Sequence, residues 1–264
     1  MQISVLMTIL TKKYIASLLQ LLLISSMVLA CQAQPAANQL KANHILWTQL
    51  LQKHVEPNGN VSYKGFIQDK AKLDMYLAQL SKGIPDEKTW STEEQLAYWI
   101  NAYNAFTVKL IVDNYPVKSI KDLNGKLAVP LINTVWDKKF FKLGGVAYSL
   151  NNIEHDILRR KFKEPRIHFA INCASRSCPV LRREAYTAAK LELQLTEQTR
   201  LFLNDPTKNR ITPEKPKLSS IFNWFSSDFT KNGSLVSFIN QYAKVKIKPG
   251  AEITYLDYDW SLNE

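Results

Sequence analysis

The chain has 264 residues, 46% hydrophobic and 22% charged, with 34 Lys and Arg against 23 Asp and Glu for a formal charge of +11. That is the balance of a globular chain with a real apolar core and sets aside an intrinsically disordered one. It holds no internal repeat, no low-complexity tract and no Gly-rich phosphate loop, which excludes solenoid arrays and loop-cradled nucleotide sites.

Residues 1–30 stand apart. Lys12 and Lys13 precede an almost wholly apolar or small stretch from Tyr14 to Leu29, without Asp or Glu, as in a secretory signal. The stretch ends Val28-Leu29-Ala30-Cys31, which is similar to a bacterial lipobox whose cysteine thiol is acylated. The expectation is an exported lipoprotein anchored by Cys31 in the outer membrane and facing the periplasm, with residues 31–38 as a tether and 39–264 as one domain. Gln32 after that cysteine, rather than Asp, fits outer-membrane retention. Loss of Lys12 and Lys13 lowers the formal charge from +11 to +9. Behind an export signal, such a charge points away from nucleic acid and toward anionic lipid or cell-envelope polymer.

Gln39 to Val55 places Leu40, Ile45, Leu46, Leu50 and Leu51 at helical intervals. Pro57-Asn58-Gly59-Asn60 is a turn, and Phe66 to Leu80 a second helix ended by Gly83 and Pro85. His44 and His54, ten residues apart, suit packing or surface roles better than a metal pair. Ser91-Thr92-Glu93-Glu94 is a capping box that opens a long helix to about Asn114, stopped by Pro116. Asn101 and Asn104 share its apolar stripe, where an amide must be hydrogen-bonded. They either pin a neighbouring loop or line a pocket.

Residues 120–136 look irregular, with a turn at Asn124-Gly125 and an apolar run around Leu131. Gly144-Gly145 between apolar pieces predicts a small hairpin, and Asn151 or Asn152 caps a helix carrying Glu154, His155 and Arg159. Ile167, Phe169 and Ile171 alternate with His168, Ala170 and Asn172, which predicts a strand running into a cysteine loop that ends at Pro179. Tyr186 to Asn204 reads as a helix and 209–219 as an extended edge segment. An aromatic stretch follows at 221–229, then a short helix from Ser234 to Tyr242. A strand-like tail carries Tyr255, Tyr258 and Trp260. The class is α+β, a helical N-terminal part packed on a small mixed or antiparallel sheet.

Cys173 and Cys178 leave three readings open. A disulfide suits an exported protein. A zinc site is poorly supplied by a C-x4-C pair with only His155 or His168 near it, so no metal and no cofactor is expected. A catalytic thiol needs a base and a group to hold that base. His155 can serve as base and Glu154 as its supporting carboxylate, although neighbours on a helix point in different directions. Arg176 and the loop amides can face an oxyanion, and His168 can bind nearby.

Three motifs together resemble the domain of unknown function 547 family: Tyr98-Trp-Ile-Asn-Ala-Tyr-Asn-Ala105, Asn152-Ile-Glu-His-Asp-Ile-Leu-Arg159 and the run from Ile167 to Pro179. The resemblance covers roughly Trp47 to the C-terminus. In its plant members the residue matching Cys173 is kept and that matching Cys178 is often missing, which implies Cys173 as the nucleophile. The family is also distantly similar to papain-like and transglutaminase-like thiol enzymes, where the cysteine opens a helix and precedes its histidine; here His155 comes first.

Two functions follow as expectations. One is an envelope protein with a thiol-dependent hydrolase or acyltransferase-like site: Cys173 as nucleophile, His155 as base, Glu154 in support, and Asn101 and Asn104 lining the pocket. The other is a non-catalytic envelope binding or assembly module with a structural Cys173–Cys178 pair. The partner in either case is a small molecule, a peptide or an envelope polymer, and the sequence sets no oligomeric state.

Overall fold

The computed structural model describes residues 41–125 and 134–264. The signal, Cys31, the tether and the run around Leu131 lie outside the described residues. Helix α1 (Ile45–His54) leads to α2 (Tyr63–Gln68) and α3 (Lys70–Lys82). The single helix expected over 66–80 is therefore two. The break falls at Asp69, whose carboxylate takes Lys53 Nζ at 2.6 Å and His54 Nε2 at 2.8 Å. His54 is buried and packs on Phe66, 4.9 Å between ring centres.

The central element is α4 (Thr92–Asn114). Its capping box forms in full: Ser91 Oγ accepts from the Glu94 amide at 3.1 Å, and Glu94 Oε2 accepts from the Ser91 amide at 2.9 Å. From Leu96 to Val112 nearly every residue is buried, so the helix runs through the core rather than over it. Helices α2 and α3 cover one side, and a π-helix (Asn152–Phe162) covers another. Ser149 rather than Asn151 satisfies the start of that π-helix, its hydroxyl accepting from the Asn152 amide at 3.1 Å.

Strands are few. β1 (Phe141–Leu143) and β2 (Val146–Tyr148) form the antiparallel hairpin predicted at Gly144-Gly145, where φ is +55° and +82°, backbone that favours glycine. After α5 (Leu191–Leu203), β3 (Lys217–Ser219) pairs in parallel with β4 (Thr254–Leu256). Between them lie α6 (Ile221–Trp224), α7 (Ser226–Phe229) and α8 (Leu235–Tyr242). The fold is α+β, but the expected single sheet is two separate two-stranded ladders. In the tail only Thr254–Leu256 is strand, and 245–247 is not.

The predicted strand at 167–171 does not form; Pro165–Phe169 is a 3-10 turn. Glu164 caps it by accepting from the Arg166 amide at 3.0 Å, and Pro165 stands in its first turn. Residues 167–171 are all buried, so there is no wet face for alternation to mark. Instead Ile167 joins the apolar core around α4, while Phe169 joins a second core with Phe202, Phe222, Phe229 and Phe238. The alternating pattern reports two cores on either side of a tight turn.

His44 illustrates how burial is paid for at the domain edge. Its Nδ1 lies 2.7 Å from the Tyr76 hydroxyl, and burial lowers its pKa to about 4. Below pH 6.5 the unfolded chain takes up a proton that the folded one refuses, so stability falls with acidification. The expected loss is about 2 kcal/mol between pH 6.5 and 5. Urea midpoints at the two pH values measure it, and His44→Gln should remove most of the difference.

Candidate functional site

Asn104 positions the cysteine loop. Its Nδ2 donates to the Ala170 carbonyl at 2.9 Å, and its Oδ1 accepts from the Asn172 amide at 2.8 Å. Asn172 then turns the chain: Oδ1 accepts from the Ala174 amide at 2.9 Å, and Nδ2 donates to the Pro179 carbonyl at 2.7 Å. Ala174, fully buried, is held at φ +60°, a region L-residues with a Cβ rarely enter.

Asn101 does the same work elsewhere, holding both the amide and the carbonyl of Tyr186 at 2.9 and 2.8 Å. Each of these two amides has its oxygen and nitrogen engaged with backbone.

Cys173 and Cys178 are joined in a disulfide, with Cα atoms 6.2 Å apart. The Cys173 amide donates to Cys178 Sγ at 2.9 Å. The Tyr258 hydroxyl lies 3.2 Å from Cys178 Sγ, 3.4 Å from Cys173 Sγ and 3.3 Å from Ser175 Oγ. Burial, offset in part by the Ser175 contact, pushes the Tyr258 phenol above its usual range, so it is a neutral donor here. The tail that carries Tyr258 is laced to the loop: the Arg176 amide donates to the Ser261 carbonyl at 2.8 Å and the Ser177 amide to the Asp259 carbonyl at 3.1 Å. In this bridged form Cys173 has no thiol to ionise, and the nucleophile role expected of it requires the bridge to be opened. A bridge over so short a span contributes about 2 kcal/mol. Chemical denaturation of the Cys173→Ser/Cys178→Ser double variant should show that loss.

The π-helix sends Glu154 and His155 to different places. Glu154 is buried, and its Oε2 accepts from the Tyr103 hydroxyl at 3.1 Å. Burial first, then that carboxylate, pushes the Tyr103 phenol well above its usual range. His155 Nδ1 lies 2.9 Å from Arg159 Nη1. A guanidinium only donates, so Nδ1 is the acceptor and the ring proton belongs on Nε2. Glu154 therefore does not orient His155, and among the described residues no hydrogen bond joins His155 to either sulfur. The reason is geometric: adjacent residues on a helix face different sides.

A second cluster lies beside it. Asp228 Oδ2 accepts from Arg159 Nε at 2.6 Å and from His168 Nε2 at 2.9 Å. Burial raises the Asp228 pKa, but the His168 and Arg159 bonds outweigh it and hold the carboxyl well below the usual range. Burial lowers the His168 pKa, against the pull of Asp228. The Phe225 ring lies 4.0 Å from the His168 ring and 4.9 Å from the Arg159 guanidinium. His168 is thus a buried partner of Asp228. Arg176 is exposed, with Nη2 3.4 Å from the Glu264 carbonyl at the end of the tail.

Four rings outside the cysteine loop complete the region. Trp260 lies 5.5 Å from Trp136, 5.7 Å from Trp224 and 4.5 Å from Tyr258. Trp224 and Tyr258 are 4.7 Å apart. Asp228, Tyr258, Tyr103 and Trp136 had no role in the sequence reading. The aromatic density of 221–229 and the tail was the signal for two of them. Among the described residues no group of three or more His, Cys, Asp or Glu is placed to hold a metal ion, and no helix is long and apolar enough to cross a membrane.

Residues 87–203 match the model of a family described as protein of unknown function, DUF547. The matched stretch contains Glu154, His155 and both loop cysteines, and is shorter than the extent from Trp47 to the C-terminus implied by the three motifs. Trp224, Asp228, Tyr258 and Trp260 lie beyond it. No curated protein and no solved structure matches the chain. The distant likeness to papain-like and transglutaminase-like enzymes is therefore unsupported, and Cys173 enters a left-handed turn at Ala174 rather than opening a helix.

Proposed function

We propose, for a chain whose residues 87–203 carry the DUF547 segment, an envelope binding module in which the cysteine bridge braces an aromatic recognition surface. The observation that carries this reading is the Tyr258 hydroxyl, within 3.4 Å of both bridged sulfurs while its ring packs on Trp224 and Trp260. The bridge fixes Tyr258, and Tyr258 fixes the two indoles. Export and anchoring through Cys31 belong to the same proposal, since they place the bridge where it persists.

The test is co-sedimentation of the mature chain with isolated cell-envelope polymer, beside thiol titration with and without reductant. The expected result is no titratable thiol in the loop before reduction, and polymer binding that weakens several-fold in the Cys173→Ser/Cys178→Ser variant. Free loop thiols in the unreduced protein, or no retention on the polymer, overturn it.

One observation favours a second reading, a thiol-dependent hydrolase or acyltransferase that works only once the bridge is opened. Ala174 holds a strained backbone next to Cys173, and such strain gathers at reactive sites. After reduction, an electrophilic thiol probe should then label Cys173 well ahead of Cys178 at neutral pH. Equal or absent labelling sinks this second reading.

A further inference from the structure

Beyond the binding-module reading, we propose that the Cys173–Cys178 bridge is a thiol-exchange site. An incoming cysteine thiolate attacks Cys173 Sγ, and Cys178 leaves as a thiolate held by the Cys173 amide and the Tyr258 hydroxyl. The two sulfurs differ in access. Cys178 is 4% exposed, whereas Cys173 is half-buried, so an attacking sulfur reaches Cys173 first. They differ also in their donors. The Cys173 amide donates to Cys178 Sγ at 2.9 Å. Among the described residues Cys173 Sγ meets only hydroxyls, Ser175 Oγ at 3.3 Å and Tyr258 at 3.4 Å. The Ser175 hydroxyl donates to the Tyr258 oxygen at 3.3 Å, which leaves the phenol proton for a sulfur, and Cys178 Sγ is the nearer at 3.2 Å. Burial keeps that proton on Tyr258, against the Ser175 contact and with the Glu154 charge in support. Such donors stabilise a charged sulfur more than a neutral one, which lowers the pKa of the leaving thiol and speeds its departure.

The new S–S bond forms between the incoming sulfur and Cys173 Sγ as the Cys173–Cys178 bond breaks, and the electron pair of the broken bond stays on Cys178 Sγ. A second thiolate of the incoming chain then attacks the sulfur by which that chain is joined to Cys173. A disulfide closes in the incoming chain and Cys173 is released as a thiolate. The bridge is thereby reduced and the incoming dithiol oxidised, and the protons the dithiol gives up end on Cys173 and Cys178. The incoming thiol belongs to an unfolded polypeptide rather than to a small hydrophilic thiol. Trp224, 47% exposed and 4.7 Å from the Tyr258 ring, gives an apolar chain a face to rest on beside the bridge.

The experiment mixes the full chain with a reduced single-cysteine peptide rich in apolar side chains and, separately, with glutathione. Acid stops each reaction early, free thiols are blocked, and mass spectrometry locates the adduct. The peptide should be joined to Cys173, with the blocked thiol on Cys178, and should react several-fold faster than glutathione. With a two-cysteine peptide the adduct should give way to oxidised peptide and free thiols at both loop positions. An adduct on Cys178, or none with either thiol, overturns the exchange site; a peptide no faster than glutathione overturns the polypeptide assignment. Tyr258→Phe keeps the ring and removes the proton, and should slow adduct formation about tenfold. A Tyr258 that merely braces the tail predicts the opposite sign, because loosening the tail uncovers the bridge. Unchanged or faster adduct formation in Tyr258→Phe therefore overturns the phenol as donor to the leaving sulfur.

Discussion

Replacing Asp228 with alanine should destabilise the protein by about 3 kcal/mol, because it strands a half-buried guanidinium and a buried imidazole. Asp228 Oδ2 takes Arg159 Nε at 2.6 Å and His168 Nε2 at 2.9 Å, and the carboxylate side chain is only 9% exposed. Without it, Arg159 keeps its charge against the Phe225 ring and His168 loses its acceptor. The same cluster sets the response to acid. The Asp228 carboxyl is held below its unfolded pKa, so its contribution is present above about pH 4 and lost as pH falls through the folded value. His168 is also held below its unfolded pKa, so the unfolded chain binds its proton first and stability again falls on acidification. The signs agree. Stability should decline from about pH 6.5 downward, and Asp228→Asn should flatten the lower part of that curve. Urea unfolding across pH 3–7 for the two proteins is the measurement. An unchanged pH profile would remove Asp228 as the cluster's anchor.

The second large effect is expected at Asn104. Its amide satisfies the Ala170 carbonyl and the Asn172 amide, both buried beside the cysteine loop. Asn104→Ala leaves two buried backbone groups without a partner, at about 1–3 kcal/mol each, or about 2–6 kcal/mol in total. Asn104→Asp keeps the acceptor and loses the donor, so it should fall between. Thermal unfolding ranks the three proteins. The loop should also open: after mild reduction Cys178, nearly buried in the parent, should alkylate faster in Asn104→Ala. A variant with parental stability would mean that the loop is held by other contacts, the tail's Asn263 bond to Asn172 first among them.

How legible the chain was depended on the distance over which each feature is encoded. The start of α4 is written in four adjacent residues, Ser91 to Glu94, and its stop in Pro116; both are local, and the helix ends at Asn114. The hairpin at Gly144-Gly145 is equally local. The stretch from Ile167 to Ile171 was misread because alternation has two causes. A half-exposed strand gives it, and so does a tight turn whose successive apolar residues enter different cores. Only the packing of Phe169 among Phe202, Phe222 and Phe229 separates the two. Glu154 and His155 were joined in the sequence reading by adjacency, and the helix separates them.

By itself the sequence determined the α+β class, the long central helix with its cap, and the cysteine loop as the place where polar chemistry gathers. Tertiary structure alone decided that Cys173 and Cys178 are bridged, that Tyr258 reaches them from 80 or more residues away, and that Asp228 meets His168 across 60. Caps and turns are satisfied by backbone groups within a few residues, so neighbours in sequence encode them. A buried carboxylate or phenol is satisfied by whichever distant side chain the packing brings to it, and no local pattern specifies that partner.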